Sequence, residues 1–216
     1  MIRVIDLSHN NGLEVLNNLP ADISIVAIKG TQGASFQDPD FQIFYHELKR
    51  LYPTVIVIDY HFFDWEADGE LQVENVLSRG VCYTERSTGP LMLDLEADSG
   101  SAEETFVINN RALCIQRVNN FIAALYADPR YGRKDIIIYS NDDFIKNVIC
   151  HTWPDAIFWV ASYQPTPPPF IPGWAYKIWQ YSEYGQLNGA TTGGNMDLDQ
   201  WMGTQEELNA LANITA

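Results

Sequence analysis

The chain has 216 residues, 46% of them hydrophobic, which suits one globular domain with a sizeable core and reads as globular rather than disordered. A formal net charge of −15 argues against nucleic acid as a partner, because a binder needs a basic face, and is read as an aid to solubility. Three widely spaced cysteines, Cys82, Cys114 and Cys150, suggest neither a disulfide framework nor a zinc site and read as buried thiols.

Short apolar runs alternate with longer helical patterns. Strands are expected at 3–6, 23–29, 55–60, 90–95, 135–139, 157–161, 176–180 and 196–198, all rich in Ile, Val, Tyr and Trp. Between them, 40–51 places Phe41, Phe44, Tyr45 and Leu48 at helical spacing, and 71–77 forms a shorter helix. A long helix over 101–126 opens on Ser101-Ala102-Glu103-Glu104, a capping-box pattern. A further helix over 141–149 has a cap at Asn141. Repeated strand–helix alternation predicts a mostly parallel sheet. Little helix falls in the last third, so the pattern is not a regular eightfold barrel. Pro165-Thr166-Pro167-Pro168-Pro169 reads as a stiff surface loop, because the 45 or so residues after it are too few for a second core.

No apolar run is long enough to span a membrane, so no stable membrane association is expected. No signal-peptide pattern opens the chain. The expectation is synthesis in a cytoplasm with release by another route, or a leader already removed. Asn213-Ile214-Thr215 is a glycosylation sequon of a kind common by chance.

The most informative segment is Leu91-Met92-Leu93-Asp94-Leu95-Glu96, an apolar run ending in two acids two residues apart. On a strand both point to the same face. Two like charges on one face of a buried strand are costly, unless the strand end opens into a site. Asp6 follows Val4-Ile5, and Asp197 lies in Gly194-Asn195-Met196-Asp197-Leu198-Asp199. The four acids Asp6, Asp94, Glu96 and Asp197 are therefore expected to line one cleft at the C-terminal ends of the strands. Asp98 and Asp199 read as ordinary turn formers or caps, and Asp38 as a helix cap. Aromatics also gather at strand ends: Tyr60, Phe62, Phe63, Tyr139, Phe158, Trp159, Tyr163, Trp179 and Tyr181. About half are expected in the core, the rest in a groove where flat sugar faces stack on rings. No phosphate loop and no Ser or Cys nucleophile motif is present, and His61 has no histidine neighbour with which to hold zinc.

These residues resemble, in order and from end to end, the glycoside hydrolase family 25 muramidases, or Chalaropsis-type lysozymes. The matching segments are Val4-Ile5-Asp6-Leu7-Ser8-His9-Asn10-Asn11-Gly12, Val26-Ala27-Ile28-Lys29-Gly30-Thr31-Gln32-Gly33, Tyr60-His61-Phe62, Leu93-Asp94-Leu95-Glu96, Ile138-Tyr139-Ser140, Phe158-Trp159-Val160-Ala161-Ser162-Tyr163, Ile178-Trp179-Gln180-Tyr181 and Met196-Asp197-Leu198-Asp199. The resemblance implies an α/β fold, an irregular TIM-like (β/α) barrel forming one catalytic domain over 1–216, with no separate cell-wall-binding domain. It implies cleavage of the β-1,4 bond after N-acetylmuramic acid in peptidoglycan glycan strands by a monomer, without cofactor or metal. It implies Glu96 as general acid/base and retention, with Asp6, Asp94 and Asp197 as the other acids. Lys29, Tyr60, Tyr139, Trp159 and Gln180 fall where the groove is lined. The nucleophile stays open between the substrate's acetamido group and Asp6 or Asp94. Gln32 stands where the family usually has Glu, and Asp199 where it has Asn. An endolysin or an exported bacterial lysin fits this chemistry. A chitin-directed hydrolase, a metal-dependent hydrolase and a catalytically silent glycan-binding protein are the competing readings.

Overall fold

The computed structural model describes residues 2–79, 88–129, 131, 136–169, 171–185 and 196–213. Cys82, the predicted strand start at 135, Gly194-Asn195 and Ile214-Thr215 lie outside these residues. Nine strands are present among the described residues: β1 Arg3–Leu7, β2 Ile23–Gln32, β3 Phe36–Gln37, β4 Ile56–Phe62, β5 Thr88–Asp94, β6 Ile136–Asn141, β7 Ile157–Ala161, β8 Tyr176–Gly185 and β9 Met196–Trp201. The sheet order is β1-β9-β8-β7-β6-β5-β4-β2-β3, and β1 also pairs with β2, which closes eight of the strands into a barrel. β3 only extends β2 as a short hairpin. Neighbouring strands run parallel from β1 through β2 and β4 to β8. The exception is β9, antiparallel to both β8 and β1.

Alternation along each strand sorts the side chains. Val4, Ile25, Ala27, Ile56, Ile58, Met92, Ile137, Trp159 and Ile178 fill the barrel interior, joined by Leu208 and Leu211 of helix α5, Gln205–Asn213. The intervening residues Ile5, Val26, Ile28 and Val57 face out against α1, Phe41–Leu51, whose Phe41, Phe44, Tyr45 and Leu48 are buried as the sequence pattern requires. Leu91, Leu93, Ile136 and Ile138 do the same in the cluster that takes in α2, Gly69–Ser78, and α4, Arg111–Ala127, and Phe158 stacks on Trp174. After β7 only β8, β9 and α5 follow as named elements among the described residues. Pro165–169 runs as a loop between β7 and β8, with the Pro168 carbonyl accepting a bond from Tyr176.

Local chemistry corrects three expectations. The helix expected over 101–126 is two helices, α3 Ala102–Asn109 and α4, separated at Asn110. The Asn110 amide donates to the Phe106 carbonyl at 2.8 Å, competing with the backbone for that acceptor and ending the turn. The Ser101 cap holds, with Oγ accepting from the Glu104 N–H at 3.0 Å, and Glu104 reaches back to the Gly100 N–H. Asp38 does not cap α1. It is buried and accepts from the backbone N–H and Nδ1 of His9, and from the N–H of Asp40. Of the cysteines, Cys114 is buried, but Cys150 is exposed at φ 54°, closing the widened helical turn Phe144–Ile149 that Asn141 caps.

On the outer face, Arg79 donates from both terminal nitrogens to Asp59 of β4, one of them at 2.7 Å, and stacks over the Phe41 ring at 3.9 Å. Gly30 makes room for this pair, because a Cβ there would collide with the guanidinium. Gly30→Ala is therefore expected to break a buried ion pair, at a cost of about 3–5 kcal/mol. Urea denaturation measures it, and a midpoint equal to the wild type would contradict the account.

Candidate active site

The phase that fills the barrel with apolar residues also selects the site. One step further along the same inner faces come Asp6 on β1, Lys29 on β2, Tyr60 on β4, Asp94 on β5, Tyr139 on β6 and Gln180 on β8. Glu96 follows β5 by one more inner position. Because β9 runs the other way, Asp197 reaches this mouth from the start of its strand, not from a C-terminal end as the sequence suggested. These eight residues, with Ser8, Asn10, Phe62 and Met92, line a cavity of about 150 Å³.

Trp159 is not among them. It is fully buried one layer deeper, and Ala161 takes the mouth-level place on β7. The Trp159 Nε1 donates to Asp199 Oδ1 at 2.8 Å, and its ring meets Tyr139 edge-on. Asp199 is therefore no turn former. It is a buried carboxyl within β9, opposite Gln180 and Val4 in the sheet. His61 faces outward, bonded to Thr31 and Gln72 and stacked on Phe121, and burial lowers its pKa to about 4.

A hydrogen-bond relay fixes one side of the cleft. Tyr139 and Tyr163 both donate to Gln180 Oε1, at 2.7 and 2.8 Å. That orients the amide so that Nε2 donates to Asp6 Oδ2 at 3.3 Å. The carboxyl of Asp197 is the neighbour that most favours a proton on Asp6. Tyr163 and Asp199 were not assigned to the site from the sequence. The signal available for Asp199 was its two-residue spacing from Asp197, which places both on one face.

Burial is the first cause of raised carboxyl pKa values here, and repulsion between the acids is the second. Asp6 is raised well above the ordinary range by burial and by the charge of Asp197. Asp94 is raised by burial, then by Glu96 and Asp6. Glu96, partly exposed on the rim, is pushed up to about 7 by burial, Asp197 and Asp98, with Lys29 acting in the opposite direction. Lys29 is held by a 2.8 Å bond to Gln32 and lies 4.8 Å from the centre of the Phe62 ring. Asp94 Oδ1 and Asp199 Oδ2 are buried with no hydrogen-bond partner among the described residues. A proton-loaded acid at neutral pH, flanked by ionisable carboxyls in an open cleft, can run acid/base chemistry on a bound ligand.

Residues 5–190 match the family described as glycosyl hydrolases family 25. The chain belongs to that family. A family 25 glycosyl hydrolase from Bacillus anthracis has the same fold at a TM-score of 0.82, with 23% identity over 98% of this chain and 94% of that one. The bacterial lysozyme from Streptomyces coelicolor also gives 0.82, at 26% identity over 100% and 98% of the two chains. The muramidase from Acremonium alcalophilum gives 0.79, at 22% identity over 99% of each. Among curated relatives, the uncharacterized protein YegX of Escherichia coli is 28% identical over 187 residues. That alignment takes in 86% of this family 25 chain, which spans 62% of the length of the curated relative.

Asp199 gives a stability test. Its pKa is raised well above the ordinary range, chiefly by burial and then by the charge of Asp6. The native state therefore favours the protonated form, a contribution present at acid pH and lost as pH rises through the folded value. Asp199→Asn keeps an acceptor for Trp159 without the charge. The thermal midpoint of the variant should fall less than that of the wild type between pH 5 and pH 8. Parallel curves would show that Asp199 carries no such linkage.

Proposed function

We propose that this protein is a peptidoglycan hydrolase that cleaves the β-1,4 bond between N-acetylmuramic acid and N-acetylglucosamine, with Glu96 as general acid/base. The observation that carries the reading is Glu96 itself, a rim carboxyl with a pKa near 7 beside Asp94, Asp6 and Asp197. That a bacterial lysozyme and a muramidase share this fold supports the substrate class.

The chemistry follows from the carboxyls. Glu96 gives its proton to the glycosidic oxygen as that bond breaks, and positive charge develops at the anomeric carbon. Asp94 presents an unsatisfied buried acceptor beside it. An acetamido N–H of the sugar would satisfy that atom and favour its ionised form, holding the acetamido oxygen towards the anomeric carbon. Attack by that oxygen gives a cyclic intermediate. The Glu96 carboxylate then takes a proton from water, whose oxygen reopens the ring, for net retention. Asp6 and Asp197 stand at the far wall, where the one that is ionised supplies negative charge, and Gln180 keeps Asp6 in place.

Glu96→Gln should fold normally and lose on the order of 10²–10⁴-fold in rate, the usual worth of general acid catalysis. For the wild type, the rate should fall above about pH 7 as Glu96 loses its proton. It should also fall at acid pH as the stabilising carboxylate protonates. Mass spectrometry of digested purified peptidoglycan should find new reducing ends at muramic acid. Reducing ends at N-acetylglucosamine, or a preference for chitin oligomers, would replace this reading with another glycosidase activity. Near-wild-type turnover by folded Glu96→Gln would remove Glu96 from its role.

A further inference from the structure

We infer that the cleft continues past Phe62 into an additional sugar subsite built on the β2–β3 hairpin, with Phe36 as its platform, taking one more saccharide unit of the same glycan chain. The inference rests on the glycosidase reading above and extends it.

A second cavity of about 300 Å³ adjoins the catalytic one, and Phe62 lines both. Its walls include Gln32, Ser35, Phe36, Asp64 and Glu103. A volume at the small end of the range for ligand pockets suits one sugar ring. Phe36 is 39% exposed and lines this cavity. The hairpin that carries it is rigid. The buried Asn75 amide donates to the carbonyls of Gly33 and Phe36, at 2.9 and 3.0 Å, and the Gly33 N–H donates to the Phe62 carbonyl at 3.0 Å. Gly33 sits at φ +52°, the left-handed conformation a turn of this kind uses. His9, itself held by Asp38, backs the Phe36 ring at 5.6 Å between centroids. The ring is thus fixed in place before any ligand arrives, which reduces the entropy lost on binding.

The chemistry of the walls selects a sugar. The negative face of an aromatic ring attracts the weakly positive C–H groups on the flat face of a pyranose. The Asp64 and Glu103 carboxylates accept hydroxyl and amide donors around its edge, and the Gln32 Nε2 donates to a hydroxyl or carbonyl oxygen. Gln32 also receives Lys29, so the wall between the two cavities carries a bond from one to the other. A glycan strand crossing this wall would have one unit over the catalytic acids and another on Phe36.

The test uses peptide-free glycan strands of graded length with wild type, Phe36→Ala and Phe36→Tyr. Phe36→Ala should lower kcat/KM roughly three- to tenfold on long strands, the range expected for one aromatic contact. The loss should shrink as strands shorten, and Phe36→Tyr should retain the wild-type dependence on length. Calorimetric binding of the same strands to Glu96→Gln protein, with and without Phe36→Ala, reads the subsite independently of bond cleavage. Affinity that rises with length and is lost with Phe36→Ala supports the subsite even if no bond is cut, a result that would overturn only the hydrolase reading. Hydrolysis with an equal loss at every length would overturn the subsite and leave that reading intact. A loss confined to strands bearing stem peptides would reassign the pocket to peptide.

Discussion

The structure depends on the two-residue alternation of side chains within a closed barrel. Closure through the β1–β2 pairing removes free edges from the eight strands and fixes which face of each is inside. Every inner position is then either packing or chemistry, according to its height. Ala27, Ile58, Met92 and Ile178 pack at one level, while Lys29, Tyr60, Asp94 and Gln180 come two residues later on the same faces. No separate device carries the side chains of the candidate site. They are the continuation of the core into the open end of the barrel.

That economy has an electrostatic cost. Asp6, Asp94 and Asp199 are all pushed upward by burial, and their mutual charges push further in the same direction. Removing carboxylates from water is unfavourable unless bonds or protons replace the hydration. The Tyr139–Gln180–Asp6 relay offsets part of it. The remainder is visible as the unsatisfied oxygens of Asp94 and Asp199. A site kept in this state is less stable than an apolar one of equal volume, and that destabilisation is what makes Glu96 an acid at neutral pH.

The outer layer holds the register on which these heights depend. The Arg79–Asp59 pair joins α2 to β4 beside Gly30, and Gly69 lets α2 approach the backbone of α4 at Arg117. A slip of one residue in any of these strands would exchange its inner and outer faces, moving Asp59 and His61 inward and Tyr60 out.

The sequence by itself determined the strand–helix alternation, the helical face of α1, the caps at Ser101 and Asn141, and the shared face of Asp94 and Glu96. Each of these is a matter of neighbouring residues, where spacing and local hydrogen bonding decide. The resemblance carried by the ordered motifs pointed to the barrel and the acids. Tertiary structure alone decided depth and direction. Alternation states which face a residue takes but not how far along the barrel axis it lies, so Trp159 and Ala161 could not be ranked until the pairing register was known. It likewise gave no direction for β9, whose reversal brings Asp197 to the mouth and sinks Asp199 beside Trp159. Asp38 was misread, and the break at Asn110 missed, for a related reason: a short polar side chain can cap, turn or anchor, and the choice falls to whichever backbone group the fold brings within reach.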